Sequence, residues 1–191
     1  MKDGFLIGVK NIGPILVNLI LWVLTCWIPY LNVGTTIGMF AGIIAKAAHN
    51  ETIPMTEIFN KKYRQYMGEF FLTTGLVCIG IMIGCVFLFI PGIVIGLSWM
   101  FAILLTIDKG KNPSEAISLS NKSTYGNKGR IFCVLFLIGT FFLGLCIIFA
   151  LIPVVGVILA VAVFFFCMFA MIGIQASLYK QLADHIPSDI H

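Results

Sequence analysis

Six apolar runs set the pattern of this chain, over residues 12–28, 31–45, 70–90, 93–107, 131–152 and 154–176, and all twelve Lys and Arg and all eight Asp and Glu residues fall outside them. The runs come in pairs. Each pair is joined by an uncharged Ile-Pro step, at Pro29, Pro91 and Pro153, and is followed by a short charged stretch. A helix needs about 20 mostly apolar residues to cross a bilayer and satisfies its own backbone hydrogen bonds there. The pattern therefore predicts six transmembrane helices. The second and fourth runs, at about 15 residues, are short for a hydrocarbon core of about 30 Å, so local thinning or shallow turns are expected there.

Pro29, Pro91 and Pro153 lie 62 residues apart, so the chain reads as one membrane domain built from three repeats, 1–62, 63–124 and 125–191. Each repeat is a hairpin with an even number of spans. All three hairpins enter from the same side, as parallel repeats about an axis along the membrane normal.

Composition strengthens the membrane reading: 60% of residues are hydrophobic, 10% are charged and the mean hydropathy is +1.05, against roughly 25% charged in a soluble domain. The fold class expected is all-α and polytopic. Lys2 and Lys10 precede the first run, but no small-residue cleavage site follows it, so the run is read as a retained span rather than a signal peptide. Every Lys and Arg falls before the first span, between hairpins or after the last span. Basic residues favour the cytoplasmic side. Both termini are thus expected in the cytoplasm, with the proline turns on the opposite surface.

The charged connections 52–62 and 112–122 resemble each other and read as short surface helices. In the second, Asn112 stands at a cap position, Pro113 at the first helical position and Glu115 at capping-box spacing. Ile58, Phe59, Tyr63, Ile117 and Leu119 can dip into the interface while Lys61, Lys62, Arg64, Lys122, Lys128 and Arg130 stay near headgroups. Leu178, Leu182 and Ile186 follow at helical spacing as a third such segment. Small residues mark helix seams: Gly34, Gly38 and Gly42; Gly80 and Gly84; Gly92 and Gly96; Gly156 with Ala160. Spacings of this kind let helix backbones approach closely, and packing within the chain is expected ahead of dimerisation.

Candidate chemistry is sparse. No Asp, Glu, His, Lys or Arg lies inside a run, although relays and ion-coupled transporters place such groups there. Asn18 is the exception among the polar residues, a mid-span side chain able to donate and accept, and it is expected to face another helix. The hydroxyls of the spans are expected to bond their own helix backbone. His49, His185 and His191 build neither a zinc motif nor a histidine base. Glu51, Glu57, Glu69, Asp108 and Glu115 read as scattered solvated charges. The six cysteines all lie in the runs, without a C-x-x-C pair, and read as small apolar residues. No catalytic, cofactor-binding or metal site is expected.

The segments Ile90-Pro91-Gly92-Ile93-Val94, Asp108-Lys109-Gly110-Lys111-Asn112-Pro113-Ser114-Glu115-Ala116, Ser120 and 126–132, together with Thr56-Glu57-Ile58-Phe59, resemble the pattern of a bacterial six-span integral-membrane family. A related domain is fused to some glycerophosphodiester phosphodiesterases. The resemblance covers most of the chain and implies a bacterial inner-membrane protein; no phosphodiesterase domain accompanies it. A basic residue associated with the family's fourth span is replaced here by Leu97-Ser98-Trp99. The expected function is non-catalytic organisation of lipid or a partner protein. A transporter or channel for a lipidic or neutral molecule is the alternative, and a membrane-bending hairpin protein a further one. Expected partners are membrane lipids and a second copy or another membrane protein; nucleic acid is not among them.

Overall fold

A computed structural model describes residues 11–87, 89–150, 152 and 155–187. Pro153 and its turn lie outside the described residues, as do Lys2, Lys10 and His191. Among the described residues the regular structure is entirely helical. Helix α1 is Ile12–Thr25, α2 is Pro29–Ala48, α3 is Lys61–Gln65, α4 is Met67–Phe87, α5 is Phe89–Lys109, α6 is Pro113–Thr124, α7 is Lys128–Ala150 and α8 is Val155–Leu182.

Five of these helices are long and apolar enough to cross a membrane: Pro29–Ala48, Met67–Phe87, Phe89–Lys109, Lys128–Phe149 and Leu159–Leu182. Helix α1, with 14 residues, rises about 21 Å at 1.5 Å per residue, short of the hydrocarbon thickness. The fourth run is longer than its apolar stretch implies, because helix propensity carries through the charged residues Asp108 and Lys109. It ends at Gly110, whose φ of 69° supplies the left-handed cap. The prolines stand in the first turn of the following helices, Pro29 opening α2 and Pro91 inside α5, where a missing N–H has little consequence.

Helix α2 is the centre of the molecule. It packs against α1, α3, α4, α5 and α8, and Ile37, Met39, Ile43 and Ala47 form one core with Ile15 of α1, Leu105 and Ile107 of α5 and Phe169 and Tyr179 of α8. Around this core stand two antiparallel hairpins. Helices α4 and α5 meet through small residues: Gly80 receives the Trp99 ring, and a Cβ on Gly84 would come within 2.9 Å of the Gly92 backbone. Helices α7 and α8 meet through Phe142, Ala170 and Ile174.

Two of the long helices are irregular midway. Helix α2 passes through a π-helical turn at Gly38–Gly42, and α5 is broken at 99–101 between regular stretches Phe89–Ser98 and Ala102–Lys109. In both cases the connection that follows fills the irregularity. The Ile58 backbone and the Tyr63 ring lie against Gly38 and Gly42. Ser120 of α6 mends the break in α5: its hydroxyl donates to the Ser98 carbonyl at 2.8 Å and accepts from the Phe101 N–H at 3.1 Å. The first connection is not the surface helix expected from its charges, whereas the second is a helix, Pro113–Thr124, that leaves Ser114, Glu115, Ser118 and Lys122 exposed. The first is a 3-10 turn over Glu57–Phe59 followed by α3, with Ile58 and Tyr63 buried. In the second, Asn112 makes no side-chain cap and Glu115 pairs with Lys111 at 3.4 Å.

Candidate functional site

The connection 52–60 is anchored by Asn18, which is fully buried. Its amide donates to the carbonyls of Pro14 at 2.8 Å and Pro54 at 2.9 Å, and its carbonyl accepts from the Ile58 N–H at 3.2 Å. A mid-helix Asn costs helix propensity, but here it satisfies the buried Ile58 N–H and ties the Pro54 carbonyl to α1. This seats Glu57 inside the protein, 3% exposed. Its carboxylate accepts from Tyr63 Oη at 2.6 Å and pairs with Lys46 Nζ at 2.7 Å. Glu57 is therefore not a solvated charge. A buried carboxylate persists only when paired and hydrogen-bonded, and Lys46, in the last turn of α2, supplies the charge. Burial, and then the hydrogen bond to Glu57, push the Tyr63 hydroxyl above the ordinary phenol range, so it remains a donor.

A second cluster ties the ends of α2, α5 and α8. His49 caps the end of α2. Its Nε2 faces Asp108 Oδ2 of α5 at 3.1 Å, and its Nδ1 faces Asp184 Oδ1, just beyond α8, at 3.2 Å. Tyr179 Oη donates to the same Asp108 oxygen at 2.8 Å, and Lys109 Nζ lies 3.5 Å from Asp184. A neutral imidazole carries one N–H, so only the doubly protonated ring donates to both carboxylates. Asp108 likewise is a bridge rather than a solvated charge. The two clusters share a polar cavity of about 140 Å³, into which Lys46, His49, Glu57, Lys62, Tyr63 and Asp108 project.

The other residues singled out by sequence divide by environment. A Cβ on Gly34 would lie 3.1 Å from the Arg64 side chain, and on Gly96 3.6 Å from Ile81, while Gly92 abuts Cys85 and Gly156 abuts the Phe149 carbonyl. Ala160 accepts a weak contact from Cys146 Sγ at 4.0 Å. Lys61, Arg64 and Lys122 are exposed, and Lys128 is held by Asn121 at 2.9 Å. The span hydroxyls bond their own backbones, as at Ser98 and Thr106, and several also cross between helices. Trp22 donates to Thr36 at 2.9 Å, and Thr73 meets Thr106 at 3.1 Å.

Arg130 opens a different feature. Between the start of α7 and the end of α8 lies a groove of about 220 Å³, with Asn127, Arg130, Ser177 and Gln181 among its polar side chains and Ile131, Val134, Ile174 and Leu178 among its apolar ones. Sequence reasoning missed this juxtaposition and the His49 bridge, because both join residues 40 to 135 positions apart along the chain. The available signal was a titratable or hydrogen-bonding residue at the end of each span. No family model, curated protein or solved structure matches this chain.

Proposed function

We propose that this chain is a non-catalytic, six-span integral protein of a bacterial plasma membrane that organises lipid through its basic inner surface. The observation that carries the reading is the division of the molecule into a closed core and an apolar exterior. Ile15, Ile37, Met39, Ile43 and Leu105 are essentially inaccessible, whereas α4 and α7 present large exposed side chains such as Phe71, Met82, Phe136 and Leu137. A filled interior favours this over a wet transport path. Lys61, Lys62 and Arg64 stand beside one another after the first hairpin, and Lys128 and Arg130 at the foot of the third, where anionic headgroups attract them.

Helix α1 counts as the sixth span in this reading, which leaves both termini cytoplasmic. The three-hairpin repeat is supported by the irregularities of α2 and α5: a shift of 62 residues carries 37–39 onto 99–101 and Ile58 onto Ser120. The bacterial six-span resemblance agrees with that organisation. Replacing Lys61, Lys62 and Arg64 by Glu tests the lipid reading. Binding to anionic vesicles should weaken by about 1 kcal/mol for each basic charge lost, measured by co-sedimentation against zwitterionic vesicles. Equal binding to both vesicle types by the unaltered protein overturns it. Single cysteines placed at Lys62 and Lys122 in a cysteine-free background should react with an impermeant maleimide only after the membrane is opened from the cytoplasmic side.

A further inference from the structure

We infer that the groove between α7 and α8 is a binding site for one anionic phospholipid, with its phosphate at Arg130 and its chains leaving over α7. This deepens the lipid reading and rests on it.

The groove is amphipathic along its length. Asn127, Arg130, Ser177 and Gln181 supply hydrogen-bonding groups, and Ile131, Val134, Ile174 and Leu178 supply an apolar lining. Ile131, Ile174 and Ser177 are nearly inaccessible, so the lining is part of the folded body rather than a loose surface. Beyond Val134 the seam closes, because Phe142, Ala170 and Ile174 pack together with Val134 and Ile138 beside them. Long chains therefore cannot continue between the helices and must turn outward. The path is provided: Leu137 and Phe141, one and two turns beyond Val134 on α7, are 65% and 63% exposed.

Charge selects the headgroup. Among the described residues Arg130 is the only ionisable one lining the groove, and its guanidinium has no ion-pair partner there. Asp184 pairs instead with His49 and Lys109, and Glu115 with Lys111. A guanidinium binds a phosphate through two parallel N–H donors. The ammonium of a zwitterionic headgroup would find no carboxylate among the lining residues, so a phosphate carrying net negative charge fits and a phosphocholine does not. A volume of about 220 Å³ corresponds to about seven liquid waters at roughly 30 Å³ each, enough for a phosphoglycerol group and the first carbons of its chains.

The full-length protein is reconstituted in phosphatidylcholine nanodiscs with and without phosphatidylglycerol, released gently, and the lipid retained is counted by native mass spectrometry. One phosphatidylglycerol molecule should be retained in preference to phosphatidylcholine. Arg130→Gln should weaken its retention roughly tenfold, the effect of losing a charged hydrogen-bonding partner, and Val134→Trp, which fills the lining, should weaken it as well. Both variants should keep the thermal midpoint of the unaltered protein in phosphatidylcholine alone. Undiminished retention in Arg130→Gln overturns the site, as does equal retention of the two lipids. Displacement by millimolar inorganic phosphate would assign the groove to a free anion instead. The triple Glu variant at 61, 62 and 64 separates the two readings: if it loses vesicle association but retains the single lipid, the groove stands without the surface, and the reverse result leaves the surface without the groove.

Discussion

Helices α2 and α7 are both long enough to cross a membrane, yet 67% of the best apolar window of one is buried inside the protein and 11% of the other. The buried helix is the one that carries Asn32, Thr35, Thr36 and Gly34, Gly38 and Gly42; the exposed one carries Phe132, Phe136, Phe141, Phe142 and Phe149. In a water-soluble protein the order would be reversed. Lipid tails are as apolar as leucine, so large apolar side chains gain nothing by leaving them, and close packing and hydrogen bonding decide which helix goes inside. Small and hydroxylated residues therefore mark the inner helix, and the exposed Phe136 and Phe141 of α7 mark the rim.

The sharpest way to break the contrast is to put bulk on the inner helix. Gly42→Leu displaces the Tyr63 ring, which occupies the space of its Cβ, and with it the hydrogen bond to Glu57. Overpacking costs about 1–3 kcal/mol and a lost bond to a charged group about 1.5–3, so the midpoint of thermal unfolding in detergent should fall further here than for any other single change discussed. Asn18→Ala comes next. It strands the buried Ile58 N–H and removes the side-chain tie to Pro54, a loss of about 2 kcal/mol, and it should increase proteolysis within 52–60 before the helices unfold. His49→Leu faces two carboxylates with an apolar group, and a cost of about 1–2 kcal/mol is expected, seen as faster hydrogen exchange at the ends of α2 and α8. The smallest effect has the opposite sign. Among the described residues no atom within 4 Å would meet a Cβ on Gly139 of α7, so Gly139→Ala should raise stability by up to about 1 kcal/mol. A matching gain from Gly42→Ala would erase the distinction between the two helices.

Much of this architecture was legible before any coordinates. Apolar runs free of charge mark the helices, because no other placement of charge is tolerable in hydrocarbon. Asn18 stands out in the sequence as a mid-span amide in need of partners, though what it binds beyond its own helix is the connection 54–58 rather than another spanning helix. The second connection is the surface helix that its proline, glutamate and lysine spell out, but the first departs from what its lysines suggest. Charge pattern records which side chains face water, and says nothing of Ile58 and Tyr63 on the opposite side, whose partners are gaps made by glycines 20 to 25 residues earlier. Glu57 and Asp108 were misplaced for the same reason: a buried carboxylate looks in sequence like any other, and only Lys46, His49 and Tyr179, brought together by the fold, distinguish it.

The mended break in α5 has a consequence for biogenesis. A helix interrupted at 99–101 exposes backbone groups that hydrocarbon cannot satisfy, and the side chain that satisfies them, Ser120, leaves the ribosome some twenty residues later. Helix α5 therefore cannot be a finished lipid-stable element when it is first synthesised. It must wait at the translocation channel or in a hydrated setting until α6 arrives, so that the second hairpin enters the bilayer as one inseparable unit with the connection that follows it.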